Sequence, residues 1–267
     1  KKFGSDKSTK FLENIKLDCV RAREENLAHF ISSAAGQTDR SRSRRLSSIR
    51  RYYRFLAREK IISTDPSANL LPLRMGRSLP KTLSETDVGR LLSAPKNETA
   101  LGARDKAMLE TLYATGVRVS ELIGIEFTNL NLRQGVIRVI GKGNKERLVP
   151  LGEEAIYWLE KYIKNKREEL IGNKTSRVIF VSRLGEAMTR QSFWYVVKKY
   201  ARMSGVKSSV SPHTLRHCFA THLVNNSADL RVVQTLLGHS SVSTTQIYTH
   251  VAAERLKRLH KEHHPRG

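Results

Sequence analysis

Between Asn69 and Thr82 the chain reads NLLPLRMGRSLPKT, with two prolines, a glycine and two arginines and no helical or strand period. A regular element does not run through such a stretch, so it reads as a linker between two folded parts. The 267 residues accommodate two domains on ordinary domain sizes. The reading places a helical domain at residues 1–72, the linker proper at 73–81 and a larger domain at 82–267.

Upstream of the linker, Leu46, Ile49, Tyr53 and Leu56 recur at steps of three and four, which marks one buried helix face. Arg44, Arg51, Arg54 and Arg58 fall largely on the other side. A solvated face is the ordinary explanation of such arginines. Downstream, Ser84 with Asp87 opens a helix over Val88–Leu92, and another covers Asp105–Ala114. Val136–Ile140 is β-branched and is followed by Gly141-Lys142-Gly143-Asn144 and by Arg147–Pro150, which predicts a β-hairpin with a glycine-rich turn. A helix at Glu153–Lys166, a short strand at Val178–Val181 and a helix at Arg190–Ala201 follow. From Ser211 the pattern is helical almost to the end, broken at Gly238. The fold class expected is mostly α with a small antiparallel β-sheet.

Charge narrows the function. The chain carries 48 Lys+Arg against 25 Asp+Glu, a net +23. Self-repulsion on that scale is most simply tolerated for a polyanionic partner, and it tips Arg44 and Arg51 toward phosphate contact. Cys19 and Cys218 stand far apart with no metal-ligand spacing, which fits a reducing compartment. Lys1–Lys10 has no apolar core of a signal peptide, and no run approaches the length of a membrane span. A cytoplasmic protein without membrane insertion is expected.

The chemistry gathers in the second part. Ser211 at an N-cap and Pro212 at the first helical position make a strong helix start. They place His213 and Arg216 on one face of its first turns, where free N–H groups welcome an anion. Alone this is a capped helix with surface side chains. His213 and His217 also have the spacing of a metal pair, but lack the acidic residue between them and a third ligand. Ser243 with Gln246 opens a further helix that holds Tyr248, flanked by polar residues. Arg118 follows the Gly116 break, and its plain reading is a pair with Glu121.

The order of these pieces is more specific than any of them. Gly116-Val117-Arg118-Val119-Ser120-Glu121-Leu122, then Lys142 between two glycines, then His213-Thr214-Leu215-Arg216, then Leu237-Gly238-His239, then Tyr248 resembles the tyrosine recombinase (lambda-integrase-like) family. The resemblance runs continuously from Leu79 and more loosely over the basic helix. Arg104–Glu110, Gly141–Gly152 and Ser243–His250 resemble the bacterial chromosome-dimer resolvases within that family. Ala228–Gln234 and the ending Glu254–Arg266 are nearer the XerD type than the XerC type. The family usually opens with an aromatic-rich helix, a turn and a second helix. Lys1–Cys19 does not show that pair intact, which leaves open whether the N-terminal domain is whole.

The resemblance implies a helical core-binding, SAM-like DNA-binding domain, a catalytic domain and a C-terminal docking tail. It implies that Tyr248 attacks a backbone phosphate of double-stranded DNA, giving a 3′-phosphotyrosyl enzyme and a free 5′-hydroxyl. Arg118 and Arg216 would fork onto the phosphoryl oxygens, which lysine cannot do. Lys142 would protonate the leaving oxygen, His213 would accept the tyrosine proton, and His239 would donate to the phosphate. The covalent bond conserves the phosphodiester energy, so no cofactor and no metal are expected. Four protomers would exchange strands through a Holliday junction, with a XerC-type recombinase in a heterotetramer and a DNA translocase of the FtsK type as activator. Ala252–His264 would dock on a neighbouring protomer; a disordered basic end is the alternative. A phage or transposon integrase, a type IB topoisomerase and a non-catalytic DNA-binding protein remain as competing readings.

Overall fold

The computed structural model describes residues 20–33, 38–71, 82–141, 146–237 and 250–266. The expected linker at 73–81, the glycine-rich turn, Gly238 and the helix start at Ser243 lie outside them. The chain forms two compact units, Lys1–Leu79 and Pro80–Gly267.

In the first unit, α1 (Glu24–Ser32) and α2 (Asp39–Arg58) follow one another in sequence and pack together. Thr38 caps α2, its hydroxyl accepting from the Ser41 N–H at 3.3 Å. The spacing at three and four does what helical geometry requires. Leu46, Ile49, Tyr53 and Leu56 are all buried, and they form one core with Leu27 and Phe30 of α1, Ala22 and Leu70. Arg44, Arg51, Arg54 and Arg58 are exposed. Helix α1 has no counterpart in the sequence reading.

In the second unit the order is α3 (Glu85–Ser93), α4 (Ala100–Thr115), α5 (Val119–Ile123), β1 (Leu130–Asn131), β2 (Val136–Ile140), β3 (Glu146–Pro150), α6 (Glu153–Asn165), α7 (Arg167–Ile171), α8 (Arg190–Met203), α9 (Pro212–Asn225), α10 (Leu230–Leu237) and α11 (His250–His263). Helix α4 runs through the middle and is buried from Gly102 to Thr115. Four of its buried residues are charged, and each charge is answered. Arg104 and Tyr200 both bond to Asp105, at 2.6 and 2.9 Å. Lys106 forms an ion pair with Glu110 at 2.8 Å and donates to the Leu92 carbonyl at 2.7 Å. Unpaired, any of these would carry a desolvation cost of several kcal/mol, on the order of the cost for a buried ion.

The sheet is antiparallel in the order β1-β2-β3. Ile137 faces Val149 and Val139 faces Arg147 across the hairpin. The expected strand at Val178–Val181 is not a strand. It makes isolated bridges only, Glu126 to Val178 and Val181 to Ala187. Side chains take the place of a neighbouring strand. The Arg167 guanidinium donates to the carbonyls of Ser176, Val178 and Ile179, and Arg104 donates to that of Val181. The long C-terminal helix is also interrupted early. α9 ends at Asn225 with Asn226 as its C-cap, and Ser227 takes φ 69°, a left-handed helix stop without the glycine that usually announces one. Among the described residues no helix is long and apolar enough to cross a membrane.

Candidate active site

Gly116 sets the first guanidinium. It terminates α4 with φ 57°, and its N–H donates to the Leu112 carbonyl at 2.9 Å. A Cβ here would stand 2.2 Å from the Phe219 ring, so both the backbone angle and the close packing of α9 require glycine. Two residues later Arg118 caps α5. Its backbone N–H donates to Glu121 Oε2 at 2.7 Å, and its Nη1 donates to Glu121 Oε1 at 2.8 Å.

The second guanidinium comes from α9, which starts as its sequence dictates. Ser211 Oγ accepts from the Thr214 N–H at 3.2 Å and Pro212 occupies the first turn. One turn on, Arg216 Nη1 donates to the Gly116 carbonyl and Nη2 donates to the Leu237 carbonyl at 2.9 Å. Arg216 is thereby fixed to the same turn that leads into Arg118. His213 is exposed in the first turn of α9. Lys142, His239 and Tyr248 lie outside the described residues.

A third guanidinium was not singled out from sequence. Arg147, buried on β3, spans Glu121 with Nη1 and Nη2 at 3.0 and 2.8 Å, while its Nε donates to the Leu236 carbonyl at 3.1 Å. Glu121 thus accepts four bonds, near the capacity of a carboxylate. Burial alone would raise its pKa. The Arg147 fork and the Arg118 bonds outweigh burial and hold it below the usual carboxylate value. Arg216 moves the other way for a base. Burial first, then the Arg118 charge, lowers it to about 10, with Arg147 adding to the effect and Glu121 opposing it. It remains a cation at neutral pH. The plain reading of Arg118, a pair with Glu121, is therefore present but incomplete: one carboxylate serves two guanidiniums while a third stands close by. Such an excess of fixed positive charge is suited to a phosphate and its developing negative charge.

Among the described residues no three His, Cys, Asp or Glu side chains gather in a way that could hold a metal ion. α11 is seated on its own unit. His260 Nε2–H donates to the Ala114 carbonyl at 2.6 Å and His264 Nε2–H donates to the Tyr113 carbonyl at 3.1 Å. The sequence left a disordered basic end open; a helix with two buried histidines stands there instead.

The profile of the phage integrase family matches residues 81–255. The chain belongs to that family. The profile of the phage integrase N-terminal SAM-like domain matches residues 6–60, reaching into the segment where the family's opening helix pair was not legible. The tyrosine recombinase XerD of Vibrio cholerae is 58% identical over 228 residues, covering 85% of this chain and 76% of the relative. That of Proteus mirabilis is 54% identical over 262 residues, covering 97% and 84%. Among solved structures, the XerH site-specific recombinase bound to a palindromic difH substrate, a post-cleavage complex, is similar with TM-score 0.70 and 25% identity over 89% of this chain and 71% of that one. This member of the phage integrase family is a DNA strand-transferring enzyme, a site-specific tyrosine recombinase.

Proposed function

We propose that the enzyme cleaves and rejoins double-stranded DNA through a bond between Tyr248 and a backbone phosphate. The observation that carries this is the pairing of Arg118 and Arg216 around Gly116, two guanidiniums anchored to protein carbonyl and carboxylate groups beside one turn. Tyrosine, with a reference pKa of about 10, is a weak nucleophile at neutral pH and needs help. Arg118 and Arg216 stabilise the phosphoryl oxygens, His213 accepts the tyrosine proton, His239 donates to the phosphate, and Lys142 protonates the leaving 5′-oxygen. The 3′-phosphotyrosyl bond keeps the phosphodiester energy for resealing, so the cycle calls on neither nucleotide nor metal. Residues 1–72 act as the core-binding domain, with Arg44 and Arg51 on DNA phosphates, 73–81 as linker and 82–267 as the catalytic domain with its docking tail.

The similarity to XerD-type enzymes over most of both chains supports a role in resolving chromosome or plasmid dimers in the cytoplasm through a Holliday junction. A XerC-type recombinase then completes a heterotetramer and an FtsK-type translocase activates it. The test is a covalent trap. The protein is mixed with nicked genomic fragments of the host bacterium, denatured, and the protein-linked DNA is sequenced. One enriched chromosomal sequence is expected, and none with Tyr248→Phe, which removes a single oxygen and leaves DNA binding in place. Adducts that persist in the variant would show that another residue attacks. Gel shifts without adducts would indicate a binder, and relaxation of any supercoiled plasmid a topoisomerase.

A further inference from the structure

The proposed catalytic groups come from distant parts of the chain, and one buried side chain touches the supports of several of them. Arg147 is 6% exposed, so it acts on neighbouring protein groups. Its fork closes on Glu121, whose two oxygens also hold the backbone and the guanidinium of Arg118. Its third N–H reaches the Leu236 carbonyl, while Arg216 reaches the next carbonyl, that of Leu237. These two carbonyls end α10, two and three residues before His239, and a helix C-terminus binds cations well. Arg147 itself sits on β3, the strand that enters from the connection containing Lys142, opposite Val139 of β2.

We propose that Arg147 is a positioning residue for DNA cleavage: through Glu121 it fixes the Arg118 guanidinium. This rests on the catalytic reading given above. Only arginine fits the task. Three N–H groups in one plane meet a carboxylate edge and a carbonyl together, whereas a lysine ammonium is a point donor on a flexible stem. An ordinary buried ion pair would hold the fold and nothing more. A positioning residue changes the rate through the groups it holds.

The experiment is single-turnover cleavage, at saturating enzyme, of a nicked duplex carrying the sequence recovered by the covalent trap. Arg147→Lys is expected to bind the duplex within about twofold of the wild type and to cleave about 100-fold more slowly, the scale of a displacement near 1 Å in a catalytic group. A substrate with a 5′-bridging sulfur, whose thiolate leaves without a proton, should not restore the rate, because the fault lies with Arg118 rather than Lys142. In an Arg118→Lys background the same change should cost less than about threefold more, since residues that act as a unit are not additive. Full-rate cleavage by Arg147→Lys, rescue by sulfur, or losses that multiply with Arg118→Lys would each overturn the assignment. Should Arg147→Lys fail to fold by thermal melt, Glu121→Gln is read by the same three criteria and overturns it on the same outcomes. No adduct from the wild-type protein on any fragment would instead remove the catalytic reading and this inference with it.

Discussion

Lys142 and Gly116 are both short sequence signals, yet they make different physical demands. A general acid matters when the leaving group is poor. An alkoxide needs a proton, whereas a thiolate, of reference thiol pKa about 8.5, does not. Lys142→Ala should therefore cleave an ordinary site very slowly and recover much of its rate on the 5′-bridging sulfur substrate, measured in single turnover. Arg118→Ala and Arg216→Ala should recover little. Equal failure of all three would make Lys142 a DNA-positioning residue on its hairpin. Gly116 is a packing demand. Gly116→Ala imposes a left-handed φ on a side chain and drives its Cβ into Phe219. A destabilisation of about 2–4 kcal/mol is expected from strain and overpacking together, read as a lower urea midpoint at unchanged slope. An unchanged midpoint would mean that the turn relaxes freely. The proposed catalytic residues were singled out because their types and order are rare in combination. Arg147 was not, because its partners lie 26 and 89 positions away, and no local spacing announces such a meeting.

Some elements were legible from a buried face or a turn signal, and α1 was not. The α2 stripe was read correctly because one face of that helix is buried, and the β2–β3 pair because β-branched residues flank a glycine-rich turn. Helix α4 was read short, starting at Asp105 instead of Ala100. Its charged residues look like a solvent face and are in fact paired inside the protein. The stop at Ser227 went unread because serine seldom takes a left-handed φ. Helix α11 adds a pH dependence. Burial, above all, lowers the pKa of both His260 and His264, and the nearby His260 lowers His264 further. The geometry agrees. His264 Nδ1 accepts from the Arg266 N–H at 3.0 Å, so a proton there would meet a donor. His222 and Arg266 lie beside the pair and also disfavour a proton on His264, while Glu110 lies under Arg266 at 3.6 Å. A histidine held neutral in the fold binds fewer protons than the unfolded chain. Its stabilisation is thus present above the unfolded pKa of about 6.5 and is lost as pH falls through that value toward the lower folded one. Thermal melting should fall on acidification from neutral pH, and hydrogen exchange should open in residues 257–266. His260→Gln with His264→Gln, which keeps an N–H donor and cannot titrate, should flatten both responses. A wild-type profile that is already flat would mean that the histidines take up a proton in the fold as readily as in the unfolded chain.

At the scale of the whole molecule, both compact units are basic, and the partner proposed for them is one polyanion. Sequence revealed that charge in full, and the structure assigns a part of it to the fold: Arg104, Arg147 and Arg167 are buried in bonds to protein groups. Those arginines are not available to DNA, so the net +23 overstates the binding surface. Salt dependence counts the cations that do engage. Each neutralised phosphate releases counterions, and log K should fall linearly with log salt with a slope of about −0.9 per contact. Arg44 and Arg51 are exposed on α2, on the side away from its core. If each holds one phosphate, Arg44→Ala with Arg51→Ala should weaken binding across all sequences and make the slope shallower by about two units. Arg54→Ala with Arg58→Ala, on the same exposed side, asks how far the contact extends along the helix. Affinity measured by fluorescence anisotropy over a range of salt gives both slopes. A double variant with the wild-type slope would return Arg44 and Arg51 to the role of a solvated face, and would leave the catalytic unit as the main source of phosphate contact.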